Sequence, residues 1–306
     1  MDALDRVPVL TFRSSIDYHR DTSKESYWPM FHTVNMLTSA IGIWPFKDNF
    51  WSSETCGEQE ALISTLSAGM VGVGDPVGEA VPEILLRTCR ADGVLLKPAR
   101  TATPLDAMFL PHERPYTVST WSQRTDLPGR WHYVAGFHLA REHPDMSPVD
   151  QAFALLTYDG RDLGEMFVWP DAVEDWTLDL ASDLGIQGSV VAYDWRSGAA
   201  KMATGTAAFK PFEDLYDFGY LLLAPIQSNG LAFIGEPAKY VTLADRRFAA
   251  IEMDPDGFSV SLTGAPGEAV AVLAFDTTDG SLLHADTVVG ANGTGSVRVG
   301  RGDAAR

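Results

Sequence analysis

The chain has 306 residues, of which 45% are hydrophobic and 21% are charged, and its formal net charge is −18. This balance is typical of a soluble globular protein and excludes an intrinsically disordered chain. The negative charge disfavours binding to nucleic acid or to an anionic lipid surface, whereas a neutral partner such as a carbohydrate is compatible with it. No apolar run approaches the roughly 20 residues that a membrane-spanning helix needs, so we expect no membrane partner.

The first residues of the chain indicate its cellular compartment, and the spacing of its cysteines and histidines indicates whether a metal site is expected. Residues 1–10 are acidic rather than basic and adjoin no apolar stretch, so we expect no secretory signal and a cytoplasmic protein. Cys56 and Cys89 form neither a zinc-ligand pattern nor a disulfide framework, and His138 and His143 lack the spacing of a helical zinc motif. We therefore expect free thiols, no metal site and no other cofactor.

Residues 1–104 alternate short apolar runs with helix-like segments, which predicts β/α units and a parallel sheet. The sequence predicts strands at 7–12, 41–44 and 70–73 and helices at about 25–39, 58–67 and 79–89. We interpret these elements as the last three β/α units of a (β/α)8 barrel. Three units cannot close a barrel, because two strand edges and an apolar floor would stay open. A missing barrel half, or self-association, is therefore expected to cover the gap.

Past residue 104 the pattern changes to short apolar runs separated by Gly, Pro and Asp clusters. Many short strands with regular turn signals predict an antiparallel, β-sandwich-like domain over residues 105–290. The expected strands include segments 117–121, 131–139, 152–158, 166–169 and 189–194. Residues 291–306 are rich in Gly, Ala and Arg, and we expect them to form a flexible tail.

Three carboxylates follow the three predicted strands of the first region: Asp17, Asp48 and Asp75. In (β/α)8 enzymes the catalytic residues lie where strands end and loops begin. Glycoside hydrolysis uses a pair of carboxylates across the scissile bond, and aromatic side chains such as that of Trp44 can supply flat faces for sugar rings. Each carboxylate also has a structural alternative, because Asp17 could cap a helix and Asp48 and Asp75 could belong to turns.

The same segments carry a family resemblance. Residues 13–18 (RSSIDY), 44–50 (WPFKDNF) and 69–75 (GMVGVGD) resemble, in order, successive blocks of glycoside hydrolase family 36. The most similar branch is that of the raffinose synthases and alkaline α-galactosidases, whose blocks read approximately RxSDDF, WPDWDMF and GGPxYxSD. The resemblance continues at 104–109 (PLDAMF), which is similar to the PTRDCLF segment of that branch.

The resemblance implies a retaining α-glycosidase or glycosyl transferase acting on α-galactoside-type sugars. It implies that Asp17 is the catalytic acid/base and that Arg13, Trp44, Asp48 and Asp75 bind the substrate. The family's nucleophile lies in an earlier KxDxQ-like block, which nothing before Arg13 supplies. We therefore expect a portion of such an enzyme, incomplete without the upstream half of the barrel. The alternatives are a non-catalytic carbohydrate-associated protein or degenerate remnant, and a purely structural assembly module.

Overall fold

The computed structural model describes residues 10–18, 28–110, 115–137, 176–209 and 217–302. Within these ranges the helices are α1 (Trp28–Ala40), α2 (Gly57–Leu66), α3 (Pro82–Leu85) and α4 (Leu180–Leu184), with a 3-10 turn at Asp106–Phe109. The first eight strands are β1 (Thr11–Arg13), β2 (Trp44–Phe46), β3 (Thr103–Pro104), β4 (Tyr116–Gln123), β5 (Arg130–Phe137), β6 (Thr177–Asp179), β7 (Ser189–Asp194) and β8 (Ala200–Thr204). The remaining strands are β9 (Thr206–Ala208), β10 (Phe218–Pro225), β11 (Leu231–Gly235), β12 (Phe248–Asp254), β13 (Gly257–Thr263), β14 (Ala269–Asp276), β15 (Leu282–Val288) and β16 (Thr294–Gly300).

The largest sheet has six strands in the order β3-β4-β5-β10-β7-β8, and its neighbouring strands are antiparallel. β10 lies inside this sheet between β5 and β7, and its residues from Phe218 to Ala224 are buried. An unbroken apolar run is typical of a strand that is covered on both faces. The expected strands at 152–158 and 166–169 lie outside the described residues.

Two three-stranded antiparallel sheets, β11-β14-β15 and β12-β13-β16, form the C-terminal part. Alternating burial along β13 shows that one face of its sheet points to the core, as the two-residue period of a strand dictates. Phe233 of β11 and Phe258 of β13 meet edge to face, with ring centroids 5.3 Å apart, and this contact joins the two sheets. The segment expected to be a flexible tail contains β16, which pairs with β13 over seven residues.

The predicted partial (β/α)8 barrel is wrong. The chain is mostly β-sheet, in several small sheets, and no barrel units are present among the described residues. Within the described ranges, β1 and β2 are the only strands that pair in parallel, each three residues long, and the expected third strand is reduced to one bridge between Phe50 and Val73.

Local chemistry explains why β2 is short and why residues 69–75 form only a single bridge. Pro45, at the centre of β2, has no N–H to donate to a neighbouring strand. Gly69, Gly72 and Gly74 interrupt the third segment, and glycine is unfavourable inside a strand. A Cβ atom at Gly69 would overlap the carbonyl oxygen of Pro45, so the glycine serves a close backbone approach.

The first hundred residues pack against the large sheet. Trp28 of α1 lies edge to face on Phe137 of β5, with centroids 5.0 Å apart. α2 is buried along most of its length, and the carbonyl of Leu66 at its end accepts a hydrogen bond of 2.7 Å from the Ala102 N–H. These contacts place α1 and α2 in one hydrophobic cluster with the strands. The domain boundary near residue 104 stays a prediction.

In the described part of the chain, no helix has both the length and the apolar character that crossing a bilayer requires. Cys56 is buried and Cys89 is partly buried.

Candidate functional site

Arg13 lies at the end of β1 and joins two of the predicted carboxylates. Its Nη2 donates to Oδ1 of Asp17 at 2.5 Å, and its Nη1 lies 3.2 Å from Oδ2 of Asp48. The parallel pairing of β1 with β2 brings the two segments to the same edge. Asp17 is 70% exposed, whereas Asp48 is only 19% exposed. We call Arg13, Asp17 and Asp48 the Arg13 cluster.

Backbone contacts hold Asp48 in the Arg13 cluster. Oδ2 of Asp48 accepts a 2.9 Å hydrogen bond from the Tyr18 N–H, and the Asp48 N–H donates to Oγ of Ser15 at 2.8 Å. The loop after β1 and the loop after β2 are thereby locked to each other. Asp48 is fixed in position, while the carboxylate of Asp17 faces solvent beside it.

A buried ion pair lies next to this cluster. Nζ of Lys47 is 2.6 Å from Oε2 of Glu60 on α2, and the two side chains are 7% and 1% exposed. The ammonium group of Lys47 also lies 5.2 Å from the centre of the Tyr18 ring, a cation–π distance. The Tyr18 hydroxyl donates to Oε2 of Glu54. Burial raises the pKa of Tyr18, so its hydroxyl keeps its proton at neutral pH.

Asp75 stabilises a neighbouring turn through both of its oxygens. Oδ2 accepts hydrogen bonds from the Ser52 N–H at 2.9 Å and the Ser52 hydroxyl at 3.0 Å, and Oδ1 accepts one from the Ser53 N–H at 2.9 Å. Burial raises the pKa of Asp75, but these hydrogen bonds outweigh it and hold the pKa below its usual range. The carboxylate of Asp75 is therefore ionised at neutral pH, and both of its oxygens accept hydrogen bonds from Ser52 and Ser53.

Trp44 lies away from the Arg13 cluster. It begins β2 and pairs with Thr11, whereas Asp48 follows the end of the same strand. The Trp44 side chain is 48% exposed and lines a cleft beside Arg100 and Thr101. The structure thus brings Arg13, Asp17 and Asp48 together and separates Trp44 from them.

The sequence did not single out Lys47, Glu60 or Tyr18 as members of a polar group around the site. Lys47 directly follows the three apolar residues of β2, and Glu60 stands inside a helix whose other side chains are mostly buried. A charged residue in an apolar segment is the signal that could have indicated a buried ion pair. No group of three or more His, Cys, Asp or Glu side chains suited to a metal ion is present in the described part of the chain.

Comparison with known proteins gives little further. No protein-family model matches the chain, so none supports family 36 in particular, and no curated protein matches it. Among solved structures, the chain is similar to an isomalto-dextranase from Arthrobacter globiformis T6 complexed with panose, with 13% sequence identity and a TM-score of 0.34. The match covers 85% of this chain and 48% of the other, so the chain spans about half the length of that structure. A likeness of this size carries no argument about function.

Proposed function

We propose that the chain is a carbohydrate-active protein whose Arg13 cluster forms part of the site for an α-galactoside-type sugar. The observation that carries the proposal is the arrangement of Asp17 and Asp48 on one guanidinium, Arg13, at the end of two parallel strands. Carboxylates and guanidinium groups in fixed positions are suited to hydrogen bonding with sugar hydroxyls, because they accept and donate with directional strength.

We propose a separate role for each of the residues at this site. Asp17 is the proposed acid/base, since it is the exposed carboxylate of the cluster and can reach a bound ligand. Asp48 and Arg13 are proposed to hold the sugar, and Asp75 to support the loop at Ser52 and Ser53. In a retaining mechanism a second carboxylate attacks the anomeric carbon, and no residue of this chain is assigned that role. The chain by itself is expected to bind sugar without hydrolysing it.

A non-catalytic, sugar-binding protein is the second candidate, and one observation favours it. Catalytic proton donors of glycosidases lie in environments that keep the carboxyl group protonated, such as an apolar pocket. The carboxylate of Asp17 is 70% exposed and accepts a hydrogen bond from Arg13 instead. The same cluster would then recognise hydroxyl groups without transferring a proton.

The test is a calorimetric or ligand-observed NMR titration of the full chain with methyl α-galactoside and raffinose, and with methyl α-glucoside for comparison. Binding is expected for the galactosides and is expected to weaken about tenfold in Asp48→Asn, because a hydrogen bond to a charged group is lost. Asp286→Asn is the matched control, since Asp286 is an exposed aspartate of β15 far along the chain. Galactoside binding that is absent, or equal in Asp48→Asn, would contradict the proposal.

An assay on an aryl α-galactoside separates the two candidates. Turnover that appears only when a separate segment carrying a nucleophilic carboxylate is added, and that is abolished in Asp17→Asn with sugar binding retained, would favour the catalytic role. Galactoside binding without turnover, both by the chain alone and in the presence of the added segment, would favour the non-catalytic role.

A further inference from the structure

A cleft of about 180 Å³ opens at the other end of β2 from Asp48. It lies between the end of α1, the start of β2 and the segment before β3. The residues that matter for its chemistry are Ser39, Trp44, Arg100 and Thr101. The cleft contains no residue of the Arg13 cluster, and the proposed function gives it no role.

The volume sets the size of the ligand. One water molecule occupies roughly 30 Å³ in the liquid, so the cleft has room for about six waters. This volume is below the range of about 300–1,000 Å³ that is typical of pockets for small-molecule ligands. The cleft therefore suits one six-membered ring with its substituents, and an oligosaccharide would extend out of it.

Trp44 gives the cleft a flat apolar wall. Its side chain is 48% exposed, although large aromatic side chains are usually mostly buried. An indole ring that borders an open cleft offers a face on which the C–H face of a sugar ring can pack. Tryptophan also combines a large contact area with little loss of conformational freedom on binding.

Arg100 sets the charge of the ligand. It is exposed, and within the described ranges its guanidinium has no carboxylate partner, unlike Arg13, Arg87, Arg124 or Arg247. Among the described residues, no acidic side chain lines the cleft, although the whole chain has 41 Asp and Glu residues against 23 Lys and Arg. A guanidinium without a partner matches a carboxylate through two parallel hydrogen bonds.

From these contacts we propose that the cleft binds a single acidic sugar ring of the uronate class. The ring packs on the indole of Trp44, and its carboxylate pairs with the guanidinium of Arg100. The net negative charge of the protein opposes an anionic ligand only weakly at the cleft, because physiological salt screens charges that lie more than about 8 Å away. The site is separate from the Arg13 cluster, so it goes beyond the proposed function.

The first test is a calorimetric titration of the full chain with glucuronate and galacturonate, each compared with the neutral hexose. The uronates are expected to bind about tenfold more tightly than glucose or galactose, and the difference is expected to shrink as salt is raised. Arg100→Gln is expected to remove this preference. Arg246→Gln is the matched control, because Arg246 is also exposed and does not line the cleft.

The second test concerns the aromatic wall. Trp44→Phe keeps a ring and is expected to retain most of the uronate binding, whereas Trp44→Leu is expected to lose it. Circular dichroism melting shows whether both variants fold, and Arg100→Gln tests the proposal independently of them. Equal binding of uronate and neutral hexose, no uronate binding at millimolar concentration, or equal loss in Arg246→Gln would each overturn the proposal. The uronate preference is a different readout from the galactoside binding that tests the Arg13 cluster.

Discussion

Nζ of Lys47 lies 2.6 Å from Oε2 of Glu60, and both side chains are almost completely buried. Oε1 of Glu60 also accepts a 3.3 Å hydrogen bond from the indole N–H of Trp28. This pair ties the residue before Asp48 to α2, and Trp28 connects it to α1. An almost fully buried ion pair therefore holds the loop that carries Asp48 of the Arg13 cluster against α2.

Glu60→Gln is expected to lower the free energy of unfolding by about 3–5 kcal/mol, because it leaves the buried ammonium of Lys47 without a counter-charge. The double variant Lys47→Met with Glu60→Leu is expected to recover much of this loss, since no buried charge remains. Urea denaturation followed by circular dichroism measures both. A loss below about 1 kcal/mol in Glu60→Gln would show that the pair is hydrated in solution.

Arg247 is the centre of a second buried ion network. Its Nε lies 2.7 Å from Oε2 of Glu236, its Nη2 lies 2.5 Å from Oε1 of Glu268, and its Nη1 donates to the Thr263 carbonyl at 2.8 Å. Burial raises the pKa of Glu236, and the charge of Arg247 opposes that shift. Arg247→Met is expected to cost about 3–5 kcal/mol of unfolding free energy, because Glu236 and Glu268 both lose the guanidinium that lies nearest to them.

The control for Arg247 is Arg298→Met in the exposed pair with Asp254. Nη2 of Arg298 lies 3.0 Å from Oδ1 of Asp254, and the side chains are 37% and 35% exposed. We expect a loss below about 1 kcal/mol there, since exposed pairs contribute little. Equal losses in the two variants, measured by urea denaturation, would show that burial does not set the strength of the network.

His32 makes the stability of the protein depend on pH. Burial lowers the pKa of His32 to about 3, although its Nδ1 contacts the Trp28 carbonyl oxygen at 2.8 Å. Between pH 6.5 and pH 3 the unfolded chain takes up a proton at this residue that the folded chain does not. Stability is therefore expected to fall as the pH falls through this window, by up to about 1.4 kcal/mol per pH unit.

His32→Phe is expected to flatten the pH dependence of the unfolding free energy between pH 6 and pH 4. Part of the slope is expected to remain, because burial also lowers the pKa of His132, to about 4. Urea denaturation at a series of pH values measures the slope. His284→Gln, at a half-exposed position of β15, is the control and is expected to leave it unchanged. An unchanged slope in His32→Phe would mean that the folded protein takes up a proton at His32 over the same pH range as the unfolded chain.

Trp131 couples the large sheet to the C-terminal sheets. Its side chain is fully buried, and its indole N–H donates to the carbonyl of Phe233 at 2.6 Å. Trp131→Phe is expected to cost about 1–3 kcal/mol, because a buried acceptor loses its donor. Trp121→Phe is the control, since Trp121 is half-buried under Arg130, and thermal melting compares the two. A cost for Trp131→Phe no larger than that for Trp121→Phe would contradict a structural role for this bond.

Sequence patterns indicated which polar residues follow strands. The pairing of the strands decided which of these side chains come into contact. Asp17 and Asp48 were singled out because each follows an apolar run, and both lie on Arg13. Asp75 was singled out for the same reason, yet its carboxylate is engaged by Ser52 and Ser53. A spacing along the chain indicates where a side chain emerges from a strand and carries no information about its hydrogen-bond partner.

The amino-acid sequence by itself determined the local properties of this protein. The short apolar runs between Gly, Pro and Asp clusters determined where many strands form, since strand periodicity and turn chemistry act over a few residues. The tertiary structure decided the rest. Parallel or antiparallel pairing, the length of β2 around Pro45, and the burial of Lys47 against Glu60 depend on segments far apart in the chain. The barrel prediction failed for this reason, because β/α alternation is a local pattern and barrel closure is a non-local one.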